Sequence, residues 1–148
     1  MSLQSDVKTI CETLYPGATV IFSSVFSSNI SAFNMSSSEF PLIVIDNESP
    51  VDGEIKINNN FQDNTTIRVR CLNQDFSENT DDQTEEIRAA MEVYAKRICA
   101  QIYQKLDVRP INRQKYRLIP NFHFMSSDLS GVTLEMQVNY NNIVNFDA

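Results

Sequence analysis

Six large apolar residues, Ile87, Met91, Tyr94, Ile98, Ile102 and Leu106, recur at spacings of three and four along one stretch of this chain. That period puts them on a single stripe of one long helix. Thr80, with Gln83 three residues on, forms the signature of a capping box at its start. Asp81, Asp82, Glu85 and Glu86 crowd the first turns, while Lys96, Arg97 and Lys105 lie toward the end. This order of charges suits the helix dipole, and Arg109-Pro110 is the expected stop. A helix this long with one apolar face needs a broad apolar surface to cover, and the rest of the sequence supplies strands for it.

In GVTLEMQVNY, residues 131–140, Val132, Leu134, Met136, Val138 and Tyr140 share one face, with Thr133, Glu135, Gln137 and Asn139 opposite. KYRLIPNFHF, residues 115–124, places Tyr116, Leu118, Phe122 and Phe124 on one face, and the linker MSSDLSG allows the two runs to pair antiparallel. Gly131 is expected to supply a backbone angle that other residues dislike. FPLIVID, residues 40–46, is nearly all apolar and reads as a strand buried on both faces. ESPVDG reads as a turn, with EIKINNNF and TTIRVRCL as two further strands. In the second of these, Ile67, Val69 and Cys71 point one way, and Thr66, Arg68 and Arg70 the other. Near the start, Leu3, Val7, Ile10, Cys11 and Leu14 predict a helix over 3–14, capped by Ser2 or Ser5 and ended by Pro16-Gly17. A short strand follows over 18–22. The expected fold is α+β: one domain over the 148 residues, with a mostly antiparallel sheet packed by one long and one short helix.

One segment resists this reading. Residues 23–40, SSVFSSNISAFNMSSSEF, mix serines with Val25, Phe26, Ile30, Phe33 and Met35. A solvated linker has no use for side chains of that size. The segment is a loop or arm that docks on another molecule, or a lid over its own core.

Chemistry is sparse. Three glycines, Gly17, Gly53 and Gly131, all expected in turns, exclude a phosphate-binding loop or a dinucleotide fingerprint. His123 is the only histidine and is expected on the non-core face of its strand, beside Arg117 and Asn121. Cys11, Cys71 and Cys99 lack metal spacing and read as buried reduced thiols. The carboxylates at the long helix's start lack a calcium-loop pattern and read as a solvated helix start. No catalytic, cofactor-binding or metal-binding constellation is expected. Arg68 and Arg70, with Lys56, are candidates for a basic stripe that meets a partner. The net charge of −7 disfavours general capture of nucleic acid. The N-terminal residues lack the apolar core of a secretion signal, and no run reaches the length of a membrane span.

The order of these elements resembles that of the tail terminator, or tail completion, proteins of tailed bacteriophages. The resemblance covers most of the chain. It runs through the N-terminal helix, the apolar strand entered by F-P-L-I-V, the pair of strands ending in IRVRC, the long helix after an acidic loop, and the closing β pair ending in GVTLEMQVNY. It implies a structural virion protein without catalytic activity. Such a protein forms a homo-oligomeric ring at the neck or tail end, between connector and tail tube, with assembly in the host cytoplasm. DNA would pass through the lumen without specific binding. Val25, Phe26, Ile30, Phe33, Met35, Arg68 and Arg70 are then candidate interface residues. The alternative is a small-molecule-binding or enzymatic α+β domain whose pocket is covered by the serine-rich lid.

Overall fold

A computed structural model describes residues 3–23, 41–76, 78–111, 113–122 and 128–143. Two helices, α1 (Leu3–Leu14) and α2 (Asp81–Lys105), lie against a seven-stranded sheet among these residues. The strands are β1 (Thr19–Phe22), β2 (Leu42–Ile45), β3 (Asp52–Ile55), β4 (Asn60–Gln74), β5 (Val108–Pro110), β6 (Arg117–Asn121) and β7 (Leu129–Ile143). The α+β class expected from the sequence is therefore the observed one, and β1 with β2 is the one parallel pair among the described strands.

The sheet is built on β4 and β7. These two fifteen-residue strands pair antiparallel along their whole length, from Asn60 opposite Ile143 to Gln74 opposite Leu129. Because β7 occupies one side of β4 throughout, β2 and β3 both lie on the other side. There β2 pairs with residues 69–72 and β3 with residues 61–64. By the same reasoning β5 and β6 share the far side of β7. The sheet thus has an edge of β1 and β3 on one side and a β5–β6 edge on the other, separated by the central pair.

Alternation decides which residues meet the helices. Ile67, Val69 and Cys71 of β4 and Val132, Leu134, Met136 and Val138 of β7 are buried in one core with Ile43 and Ile45 of β2. From above, α2 contributes Met91, Ala95, Ile98, Cys99 and Ile102, and α1 contributes Leu3, Val7, Ile10 and Cys11. Of the predicted stripe, Met91, Ile98 and Ile102 are buried in this core, Tyr94 and Leu106 pack against it, and Ile87 lies half-buried outside it, while Ala95 and Cys99 widen the stripe. Burial of each large side chain stabilises the fold by about 1.5–3 kcal/mol. The capping box also forms: the Gln83 N–H donates to the Thr80 hydroxyl and the Thr80 N–H to the Gln83 side chain. All four residues of β2 are buried, as expected for a strand covered on both faces. Leu42 and Val44 join Leu72 in a second, smaller cluster opposite the helices. Tyr15, just past α1, stacks on Tyr94 of α2 with ring centroids 4.0 Å apart.

Several expectations need correction. EIKINNNF is not one strand. Glu54 and Ile55 end β3, residues 57–59 form a tight turn, and β4 begins at Asn60. Asn58 and Asn59 take the left-handed conformation (φ 63° and 58°), which asparagine tolerates better than most residues. Asp52 and Gly53, expected in a turn, belong to β3. Arg109-Pro110 does not end α2, which stops at Lys105; it lies in β5, paired with β7. Proline is tolerated there because β5 is an edge strand. Ser5 sits within α1 rather than at its cap. Of the predicted inward face of β6, only Leu118 packs on the core; Tyr116 and Phe122 are exposed, and Phe124 lies outside the described residues. Tyr140 is half-buried at the margin of the core.

Gly131 is the most instructive correction. It adopts no positive φ and lies inside β7 opposite Leu72. A Cβ added there would collide with the carbonyl oxygen of Cys71 and stand 3.1 Å from the Leu72 Cα. Glycine is required for close approach of two strands, not for a turn. Gly131→Ala is expected to lower stability by about 1–3 kcal/mol, read as a reduced urea midpoint. Ile98→Asp places a charge without a partner in the main core and is expected to cost roughly 4 kcal/mol or more. A cooperative thermal transition near that of the parent protein would show that Ile98 does not face the sheet.

Candidate interaction surface

The sheet face turned away from the helices carries a row of alternating charge. Arg68 of β4 stands opposite Glu135 of β7, which in turn stands opposite Arg117 of β6. The Arg68 Nε donates to Glu135 Oε2 at 3.0 Å, and its Nη1 reaches Asp46 Oδ2, just past β2, at 3.4 Å. The hydrogen bond and charge of Glu135 raise the Arg68 pKa, so this guanidinium stays charged throughout the accessible range. Burial alone would raise the Asp46 carboxyl. Hydrogen bonds from the Glu48 N–H, the Ser49 hydroxyl and Arg68 outweigh it and hold the group below the usual carboxylate range. Arg70 lies half-buried in the next row, between Val44 and Thr133.

Arg68 and Arg70 therefore share a face, as the alternation predicts. Lys56 does not join them. Its N–H bonds the Asn60 carbonyl at the start of β4, eight residues from Arg68, or about 26 Å along an extended strand. Its ammonium pairs instead with Glu54 at 3.1 Å. The candidate interface residues Val25, Phe26, Ile30, Phe33 and Met35 lie outside the described residues, as does His123. β1 and β2 are parallel, so the chain leaves the sheet after Phe22 and re-enters at Leu42 from the opposite end.

The acidic start of α2 is solvated. Asp81, Asp82, Glu85 and Glu86 are exposed, and Glu85 holds Arg88 at 2.7 Å on the helix surface. The sequence offers no signal for Asp75, a fully buried carboxylate in the turn after β4. It accepts hydrogen bonds from the Ser130 hydroxyl (2.7 Å), the Asn79 amide (2.9 Å) and the Thr84 hydroxyl (3.0 Å). Those bonds tie the end of β4 to the first turn of α2 and the start of β7. A lone aspartate among loop residues resembles any solvated turn. Only the close return of β7, set by pairing 55 residues away, makes it a hub.

A cleft of about 460 Å³ opens where α1 begins and α2 ends. Its walls include Asp6, Asp63, Asp107, Leu106, Val51 and Tyr140. Burial pushes the Tyr140 hydroxyl pKa up, and the nearby Asp63 carboxylate adds to the effect. The cleft is thus acidic with one apolar flank. Among the described residues, no group of His, Cys, Asp or Glu is spaced to hold a metal ion. No described helix is long and apolar enough to cross a membrane.

The three cysteines are buried and unpaired by disulfides. Burial pushes the Cys99 thiol up to about 11 and the Cys11 thiol up to about 12, and raises Cys71 further, where no water reaches it. A thiolate nucleophile needs the opposite shift. No family model matches this chain, and no curated protein matches it.

The thiols carry a pH prediction. The folded chain keeps protons that the unfolded chain releases above the ordinary thiol range, near ~8.5. Their contribution is fully present below that pH and is lost as the pH rises toward the folded values. The urea midpoint is expected to fall between pH 9 and 11. Replacing Cys71 with alanine should flatten that slope by up to about 1.4 kcal/mol per pH unit.

Proposed function

We propose that this chain is a structural virion protein that forms a homo-oligomeric ring at the neck or tail end of a tailed bacteriophage. It would join connector to tail in the manner of tail terminator and tail completion proteins. The observation that carries the reading is the order of elements. A short helix, the buried strand Leu42–Ile45, a long strand containing Ile67–Cys71, a capped long helix and a closing antiparallel pair follow one another along the chain. The sequence resemblance rests on the same order.

The action of such a protein is geometric. A rigid sheet held by two long strands presents fixed edges to neighbouring copies and fixed faces to the connector and the tube. Apolar burial supplies most of the association energy, and charged side chains set register. Closing the ring makes weak pairwise contacts collectively stable. The net charge of −7 suits a lumen that DNA traverses, because phosphate capture needs basic groups. Arg68 is already held by Glu135 and Asp46, so on this reading it orders the sheet face that partners meet. The apolar residues of 23–40 serve as an arm across subunit boundaries. Assembly takes place in the host cytoplasm, and no cofactor takes part.

The cleft between α1 and α2 favours a second reading, a small-molecule-binding or enzymatic domain. Imaging of virions that carry a labelled copy of the protein separates the two. A ring of label at the head–tail junction or tail end is expected. Complete particles without label overturn the virion reading and put the cleft first.

A further inference from the structure

We propose that the two opposite edges of the sheet are complementary docking surfaces for second copies of this chain, joined head to tail. The inference deepens the ring reading above by naming its interface.

The acidic edge is β3 and the turn after it. Between Glu48 and Ile57 the chain carries Glu48, Asp52 and Glu54 against Lys56, and every residue from Val51 to Asn59 is exposed. Ile55 and Ile57 are 71% and 85% exposed, the most exposed large apolar side chains among the described residues. Isoleucines this open to water, on a strand whose outer side has no described neighbour and on the turn after it, form a surface made to be covered.

The basic edge is β5, β6 and their connection. The sequence has no acidic residue between Asp107 and Asp128, yet Arg109, Arg113, Lys115 and Arg117 all fall there. In a chain of net charge −7, a run of net charge +4 is a local reversal of sign. The ion pairs among the described residues include none of these four. Ile111, Tyr116 and Phe122 on the same edge are each about half exposed. The edge is held in place: the Tyr103 hydroxyl of α2 donates to the Lys115 carbonyl, and the Ile111 N–H to the Gln137 carbonyl.

The register sets the two surfaces across the sheet from each other. Asp52 pairs with Asn64, Asn64 with Asn139, and Asn139 with Arg109, so an acid and a base end the same row on opposite edges. Acid cannot meet acid without repulsion, so two copies do not dock by like edges. Acidic edge meets basic edge, leaving one free edge of each kind on the pair. That is a heterologous contact, which closes into a ring or continues as a filament. Pro110 and Pro120 remove N–H groups from the basic edge, so the contact is made by side chains rather than by an extended backbone ladder.

Two variants test this. Asp52→Asn/Glu54→Gln spoils the acidic edge only, and Arg113→Gln/Lys115→Gln the basic edge only, neither creating a new charge for the other to attract; Asp52, Glu54 and Lys115 are exposed, and circular dichroism checks that each variant folds. By sedimentation at low salt, the wild-type protein is expected to associate beyond a dimer as its concentration rises toward millimolar. Each variant alone should self-associate more than about tenfold more weakly. Their equimolar mixture should form a dimer and nothing larger, since only one good edge of each kind remains. Ile57→Ser should weaken wild-type association without moving the melting temperature.

The proposal is overturned if the wild type stays monomeric at millimolar concentration, if either variant assembles as the wild type does, or if the mixture does not dimerise. Mixed dimers with no label in virions would keep this interface and remove the phage placement. Virion rings formed unchanged by both variants would do the reverse.

Discussion

The pairing of β4 with β7 is the constraint on which the other elements depend. Fifteen residues of each strand run antiparallel in continuous register. With both inner flanks committed to each other, β2 and β3 can add only on one side and β5 and β6 only on the other. The same alternation gives the helices an apolar floor of Ile67, Val69, Cys71, Val132, Leu134, Met136 and Val138. A slip of β4 by one residue against β7 would turn Arg68 inward and Ile67, Val69 and Cys71 outward. Close contact between the strands at the Cys71 end requires that residue 131 have no side chain. The register is therefore specified three ways: by core burial, by the Arg68–Glu135 pair and by Gly131.

Elements whose periodicity runs long were legible in the sequence. The stripe of α2, its capping box and the alternation of β7 each repeat a signal several times, so no single residue decides the assignment. The burial of β2 on both faces was legible from composition, because four consecutive branched apolar residues leave no polar face. Shorter features were not. The β3–β4 turn depends on two asparagines adopting positive φ, and an asparagine run inside a polar strand carries little weight until that geometry is seen. Pro110 reads as a helix stop, and its place in β5 follows from the long-range arrival of β7. Tyr116 and Phe122 alternate correctly with Leu118, but β6 ends near the sheet's edge and the core does not extend beneath them.

The candidate surfaces divide in the same way. Local alternation was enough to place Arg68 and Arg70 on the face away from the core. The carboxylates that hold Arg68 come from β7 and from the end of β2, and no local pattern links residues 46, 68 and 135. Asp75 shows the limit most clearly. It organises the junction of β4, α2 and β7 from full burial, while its sequence neighbourhood reads as a polar loop.

Where charge remains uncompensated, its position is informative. On the outer sheet face and on the surface of α2, acids and bases sit next to each other, as in Asp46–Arg68–Glu135 and Glu85–Arg88–Glu92. Pairs of this kind order a surface but offer little to a partner. The two sheet edges differ in net sign instead, across the width of four strands, the β3 edge staying acidic on balance despite its Glu54–Lys56 pair, and each edge adds exposed apolar side chains. Separation of charge within one small domain opposes solubility only when copies meet in the complementary orientation. In the proposed edge-to-edge contact it would direct association to one geometry, while the net charge of −7 would make other approaches repulsive. The rigidity needed to hold the edges apart at a fixed angle comes from the long central pair. On that proposal, the strand register that builds the core would also set the angle at which one copy presents itself to the next.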